Sequence, residues 1–176
     1  RIVDALLTID CEPDGNRVDQ LPFLAVSGPI AVGAIVGLPD QPGVAAVVFG
    51  ALADNHVNVD MIVQSASSAV KKTDISFSVS RGDLDKAVDI INKIKGDLKF
   101  YSVDASPNVA KISVVGTAMR TQPGVAKTMF ETLATKGVNL HVISTSEIKI
   151  SVLIDAEYTE LAVRSLHTAY GLDDES

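Results

Sequence analysis

A hexapeptide, Asp40-Gln41-Pro42-Gly43-Val44-Ala45, returns as Thr121-Gln122-Pro123-Gly124-Val125-Ala126, 81 positions further on. The same offset carries Phe49 to Phe130, Leu52 to Leu133, Ala53 to Ala134, Val57-Asn58 to Val138-Asn139, Ile62 to Ile143 and Ser65 to Ser146. Matching residue types at one constant offset mean that a single supersecondary unit is used twice. That restricts the chain to folds built from two such units, and 176 residues leave each copy the size of a small domain.

The unit is legible from its pattern. Val32 to Gly37 is a short run rich in β-branched and apolar residues, which predicts a buried strand. Pro42 suits a first helical position, where its missing N–H costs nothing. Val44, Ala45, Val47, Val48, Leu52 and Ala53 then recur at helical spacing, and Asn55-His56 closes the helix. Strands are predicted over Val57 to Gln64 and Thr73 to Ser80, the latter alternating Ile75, Phe77 and Val79 with Ser76 and Ser78. Gly82-Asp83 opens a second helix with Asp83 as its N-cap, and Phe100 to Val103 supplies a fourth strand. The order β-α-β-β-α-β is the ferredoxin-like arrangement.

In the second copy, Lys111 to Gly116 is a strand and Gly124 to Thr135 a helix. Val138 to Ser146 and Ile148 to Ile154 form a hairpin, and Thr159 to Tyr170 is a helix capped by Gly171. No fourth strand follows, because Asp173-Asp174-Glu175-Ser176 is an acidic tail. A buried face beside an open edge needs a strand from elsewhere. Ile2 to Ile9 and Phe23 to Val26 both have strand character and precede the first copy. The expected fold class is therefore α+β: two ferredoxin-like βαββαβ modules, the first (31–105) inserted into the second (1–30 plus 108–172), with 173–176 as a tail.

Composition removes several functions. Apolar residues make up 47%, with no Trp, so aliphatic side chains must fill the cores. A net charge of −7 argues against nucleic-acid binding, which needs clustered cations. The single cysteine, Cys11, excludes an intrachain disulfide framework and has no base nearby to make it a nucleophile. No apolar run approaches the ~20 residues of a membrane span. His56, His141 and His167 are widely spaced without thiol or carboxylate companions at ligand spacing, so no metal site is expected. No nucleotide-binding glycine loop is present. The absence of a signal peptide points to the cytoplasm, and a start at Arg1 rather than Met reads as a fragment or trimmed subunit.

Two segments carry a family likeness: Asn58-Val59-Asp60-Met61-Ile62-Val63-Gln64, and Asn139 to Leu153 with Ser144-Thr145-Ser146-Glu147-Ile148 at its centre. They resemble the paired ACT domains of aspartate kinases, and the likeness runs from about Ala31 to Leu172. That family phosphorylates the β-carboxylate of aspartate with ATP, on the route to lysine, threonine and methionine. Its kinase domain opens on a Lys-Phe-Gly-Gly motif that this chain lacks, so no catalytic residue is expected here. The resemblance implies no cofactor in this chain, ATP and Mg belonging to the kinase domain. It implies as partners an amino-acid effector (threonine or lysine), a second copy joined through the ACT domains, and a catalytic kinase subunit or domain. Separate subunit and fused region both remain open. A stand-alone ACT scaffold, or a regulator of a different amino-acid enzyme, is the alternative.

A free amino acid presents an ammonium, a carboxylate and one side chain. The Gln-Pro-Gly-Val-Ala turns, with Gly43, Val44 and Ala45 in the first copy, offer N–H donors at a helix start that favours an anion. Asp40 is placed to take the ammonium, and Asp60 and Gln64, four apart on one strand, are expected on one face. By resemblance, Asp40, Gly43, Ala45, Asp60, Gln64, Ser67, Thr73 and Ser76 fall at effector or feedback-sensitive positions. Ala126, Asn139, Leu140, Ser146 and Glu147 do so in the second copy. The resemblance also places the second module of a partner chain against the first. Thr121 replaces Asp40 in the second copy, so the first-copy site is expected to dominate. Plainer readings stand beside these: Asp40 as a helix cap, Gly43 and Gly124 as turn glycines, Asn58 and Asn139 as turn residues, Glu147 as a solvated neighbour of Lys149.

Overall fold

The computed structural model describes residues 23–66, 71–116 and 124–172. Ser67, the Thr121-Gln122-Pro123 turn, Cys11, the Ile2 to Ile9 strand and the acidic tail lie outside the described residues. In chain order the elements are β1 (Phe23–Pro39), α1 (Val44–Asp54), β2 (Val59–Ala66), β3 (Lys72–Ser80), α2 (Leu84–Lys93) and the single turn α3 (Lys95–Leu98). There follow β4 (Ser102–Val115), α4 (Gly124–Thr135), β5 (Val142–Thr145), β6 (Lys149–Asp155) and α5 (Thr159–Ala169).

The chain divides into two compact units. Pro29–Val109 is one; the described residues up to Gly28, joined with those from Ala110 onward, are the other. The first is thus inserted into the second. Its strands run in the order β2-β3-β1-β4, the ferredoxin-like order. Val44, Val48 and Leu52 form one stripe of α1, and Ala87, Ile90 and Ile91 one stripe of α2. Both stripes bury against Ala31, Ile35 and Leu38 of β1 and Ile75, Phe77 and Val79 of β3. Each valine, leucine, isoleucine or phenylalanine so buried contributes about 1.5–3 kcal/mol of transfer free energy.

The second unit runs β1-β4-β6-β5. Its core is Ile112 and Val114 of β4, Val125, Met129 and Leu133 of α4, Val152 and Ile154 of β6, and Ala162 and Leu166 of α5. Leu24, from the leading half of β1, packs against that core.

Several elements differ from the pattern-based expectation. Phe23 to Val26 and Val32 to Gly37 are parts of one 17-residue strand, and Phe100 to Val103 and Lys111 to Gly116 mark the ends of one 14-residue strand. Pro29 and Pro107 fall inside these strands, where a proline removes only one ladder donor and is tolerated because the strand is exposed. Asp104 to Asn108 are indeed all exposed. Helix α1 starts at Val44 rather than Pro42, because Gly43 at the N-cap has φ 91°, a left-handed conformation that no helical turn includes. Asp83 occupies the N-cap of α2 without capping it; its Oδ2 accepts instead from Ser80 Oγ at 2.7 Å. Helix α1 closes with Val57 N–H on the Leu52 carbonyl (2.9 Å) and His56 N–H on that of Ala53 (2.9 Å), the six-to-one and five-to-two pattern of a Schellman end. His56 takes φ 58° there, and the repeat places Gly137 in the same conformation after α4.

Candidate functional site

At the end of β1, Pro39 pairs with Lys72 at the start of β3, and the Asp40 N–H donates to the Lys71 carbonyl at 2.9 Å. That anchors the turn into α1. Asp40 is exposed, and its carboxylate makes no hydrogen bond or ion pair with a described residue. It does not cap the helix. The N-cap is Gly43, the helix start carries no side-chain cap, and the first bond of the ladder is Val47 N–H to the Gly43 carbonyl at 3.1 Å. The first-turn N–H groups therefore keep their capacity to bind an anion. A Cβ built on Gly43 would meet nothing within 4 Å, so a ligand can come up to this backbone unobstructed.

Gln64 and Thr73 adjoin this end of the unit. Gln64 Nε2 donates to Thr73 Oγ1 at 3.1 Å, and Thr73 Oγ1 donates onward to the Ser65 carbonyl at 3.0 Å. Thr73 is only 2% exposed while Gln64 is open to solvent. The relay occupies the amide nitrogen and leaves Gln64 Oε1 as the acceptor on offer, suited to an ammonium.

Asp60 does not join this face. Val59 stands opposite Val79, Ile62 opposite Phe77 and Gln64 opposite Ile75, so a β-bulge between Val59 and Ile62 puts one extra residue into β2. Side chains alternate only in an unbulged strand, so four-residue spacing does not align Asp60 with Gln64. Ser76, opposite Ala34 and Val63, lies in the alternate row of β3 from Ile75 and Phe77. Asp40, Gly43, Val44, Ala45, Gln64 and Thr73 thus share one end of the first unit; Asp60 and Ser76 stand apart.

A cleft of about 480 Å³ opens at the other end of α1, lined by Phe49, Ala53, His56, Val57, Asn58, Val59 and Ile62. It contains none of the uncapped N–H groups and no carboxylate. This cleft and the uncapped N–H groups therefore lie at opposite ends of the same helix, and the end with the N–H groups and Asp40 is the better candidate for a charged ligand.

In the second unit Tyr170, just past α5, donates its hydroxyl to the carbonyl of Val125 in α4 at 2.7 Å. Burial pushes the Tyr170 pKa up to about 12, against a lowering contribution from the Met129 backbone N–H. Ala126 is half-buried in the first turn of α4. Asn139 and Leu140 precede β5, whereas Ser146 and Glu147 follow it; Ser146 N–H closes the β5–β6 turn on the Lys149 carbonyl at 2.7 Å. Extended chain at ~3.3 Å per residue separates the two pairs by roughly 20 Å, too far for one amino acid to touch both within a single copy. His141 has a carboxylate companion that spacing did not reveal: its Nε2 lies 2.7 Å from Asp155 Oδ1, brought there by the β5–β6 pairing. Among the described residues no group of three or more His, Cys, Asp or Glu is placed to hold a metal ion.

The sequence matches the ACT domain family over residues 34–94 and 112–170. The chain belongs to that family. It is a tandem ACT pair of the aspartokinase regulatory type. An aspartokinase of Pseudomonas aeruginosa is 42% identical over 168 residues, which is 96% of this chain and 40% of the relative. The tandem ACT pair therefore spans about 40% of the length of that curated relative. A crystal structure of aspartokinase alpha and beta subunits superposes with TM-score 0.78 at 43% identity, covering 86% of this chain and 99% of that one. The ligand-free regulatory subunit of aspartate kinase from Thermus thermophilus gives TM-score 0.77 at 34% identity, covering 86% and 98%. No described helix is long and apolar enough to cross a membrane.

Proposed function

We propose that this ACT pair senses an end-product amino acid, threonine or lysine, and passes its occupancy to an aspartate kinase that uses ATP and Mg elsewhere. The observation that carries the reading is the start of α1. Uncapped N–H groups over the open Gly43 turn meet the effector carboxylate. Asp40, with no described partner, and the Gln64 Oε1 fixed by Thr73 meet the ammonium. The second module of a partner chain completes each pocket with one of its two pairs, Asn139 and Leu140 or Ser146 and Glu147, since roughly 20 Å of extended chain keeps one ligand from touching both. Control of the kinase then requires only that the effector bind one arrangement of the copies more tightly than another. The cytoplasm, where biosynthetic end products accumulate, is the compartment that fits.

Isothermal titration of the chain with threonine, lysine and methionine tests this directly. One of them is expected to bind, with Asp40→Ala and Gln64→Ala each weakening it by about tenfold or more, the effect of losing a charge-assisted contact. Absence of binding by all three at millimolar concentration removes the sensing role. Wild-type affinity in both variants moves the site away from α1.

A further inference from the structure

The edge of the first unit beside Tyr101 gathers lysines in a chain whose net charge is −7. Lys72 Nζ sits 4.9 Å from the centroid of the Tyr101 ring and donates to the Lys99 carbonyl at 3.4 Å. Lys95 Nζ donates to the Tyr101 carbonyl at 2.8 Å and lies 5.4 Å from the Phe100 centroid. Lys71 and Lys99 are exposed, and neither makes an ion pair with a described residue. Both hold left-handed backbone, φ 54° and 49°, a conformation that costs an L residue about 1–2 kcal/mol and persists only where the surroundings impose it.

The aromatic at the centre is firm. Tyr101 is 66% exposed, yet a Cβ on Gly37 would fall 2.2 Å from its Cδ2, so the ring rests directly on the β1 backbone. The Tyr101 N–H is fixed on the Val36 carbonyl at 2.8 Å. Of the carboxylates nearby, Asp74 is turned to the Gly37 N–H at 2.7 Å, while Asp40 and Asp97 are exposed. A ring seated on backbone on one side and topped by an ammonium offers little for a base or sugar to stack between. It offers a rigid, amphipathic pad with cations around it, the make-up of a protein contact.

We propose that the surface formed by Lys71, Lys72, Lys95, Lys99 and Tyr101 docks a carboxylate-rich segment of a partner protein. The whole molecule repels such a segment, so the attraction must be local and steeply dependent on salt. None of its lysine side chains is assigned to the effector site, although the Lys71 carbonyl anchors the neighbouring Asp40 turn.

The test is fluorescence anisotropy of a labelled octaglutamate peptide titrated with the intact chain at low and physiological salt. Binding is expected at low salt and should weaken on raising it. The Lys71→Glu/Lys99→Glu variant should bind about fivefold or more weakly, and Lys71→Gln/Lys99→Gln to an intermediate degree. Lys127→Glu, which lies on α4, should bind as the parent does. Equal affinity in the parent and the charge-reversed variant overturns the proposal, as does absence of binding at low salt. Displacement of the peptide by inorganic tripolyphosphate at lower concentration than by unlabelled peptide also overturns it, in favour of a phosphate ligand.

Discussion

Gly33 stands opposite Phe77 across the β1–β3 pairing, and a Cβ built on it would lie 2.5 Å from the ring Cζ. The Phe77 ring, 1% exposed, occupies the space that a side chain at position 33 would need. The repeat aligns these positions with Val114 and Val152, since Ile62 faces Phe77 and Ile143 faces Val152. Both valines are fully buried in the second core. One module fills the site with a large and an absent side chain, the other with two medium ones. Gly33→Val alone should therefore destabilise by about 2–3 kcal/mol through overpacking. Adding Phe77→Val should restore much of that loss, against a Phe77→Val single variant that opens a cavity. Denaturant midpoints of the four proteins decide the matter; additive losses would mean the two sites do not exchange volume. Nothing in the local pattern around Gly33 signals this role, because it depends on a ring 44 positions away. Only comparison of the two copies exposes it.

At the scale of elements, what could be read was whatever a short window determines. The stop of α4 at Thr135 follows from its apolar spacing, and the α5 stop at Gly171 from its turn chemistry. The β2 bulge could not be read, because the extra residue is defined only against β3; the face shared by Asp60 and Gln64 failed for that reason. The length of β1 and β4 was not read, because their middle stretches, Pro29 and Asp104 to Asn108 among them, are exposed and lack the apolar pattern by which the short strands were picked out. The α4–α5 tie is of the same long-range kind. Tyr170 Oη bonds a carbonyl 45 positions away. Its raised pKa means that folding favours the neutral phenol, so this contribution is complete below pH 10 and is lost as pH rises from 10 toward 12. Tyr170→Phe should cost about 1 kcal/mol near neutral pH. The parent-minus-variant difference in unfolding free energy should then shrink between pH 10 and 12. A difference constant across that range would show that the hydroxyl is not held neutral by the fold.

For the whole molecule, the question is what covers α1. Its sequence Val44 to Ala53 contains no charged residue, and beyond the buried stripe Ala45, Ala46, Val47, Gly50 and Ala53 are exposed, Val47 by 47%. Helices apolar on every side are normally buried. The matching positions of α4 are wet: Ala46 corresponds to Lys127 and Gly50 to Glu131, an i,i+4 pair 3.7 Å apart with side chains 72% and 67% exposed. The apolar face continues into the cleft beside β2, the edge strand of its unit, where Ile62 is 50% exposed. An edge strand flanked by an uncovered apolar helix is the surface on which a second copy would be expected to seat itself. Transplanting the α4 pair, as Ala46→Lys/Gly50→Glu, tests this without threatening the fold, because replacing a mid-helix glycine by glutamate improves helix propensity by roughly 0.5 kcal/mol. Sedimentation equilibrium should show self-association weakened about tenfold or more, with the unfolding transition of the dilute chain unchanged or raised. If the variant associates as the parent does, α1 faces solvent or another partner, and the effector pocket cannot be completed across this face.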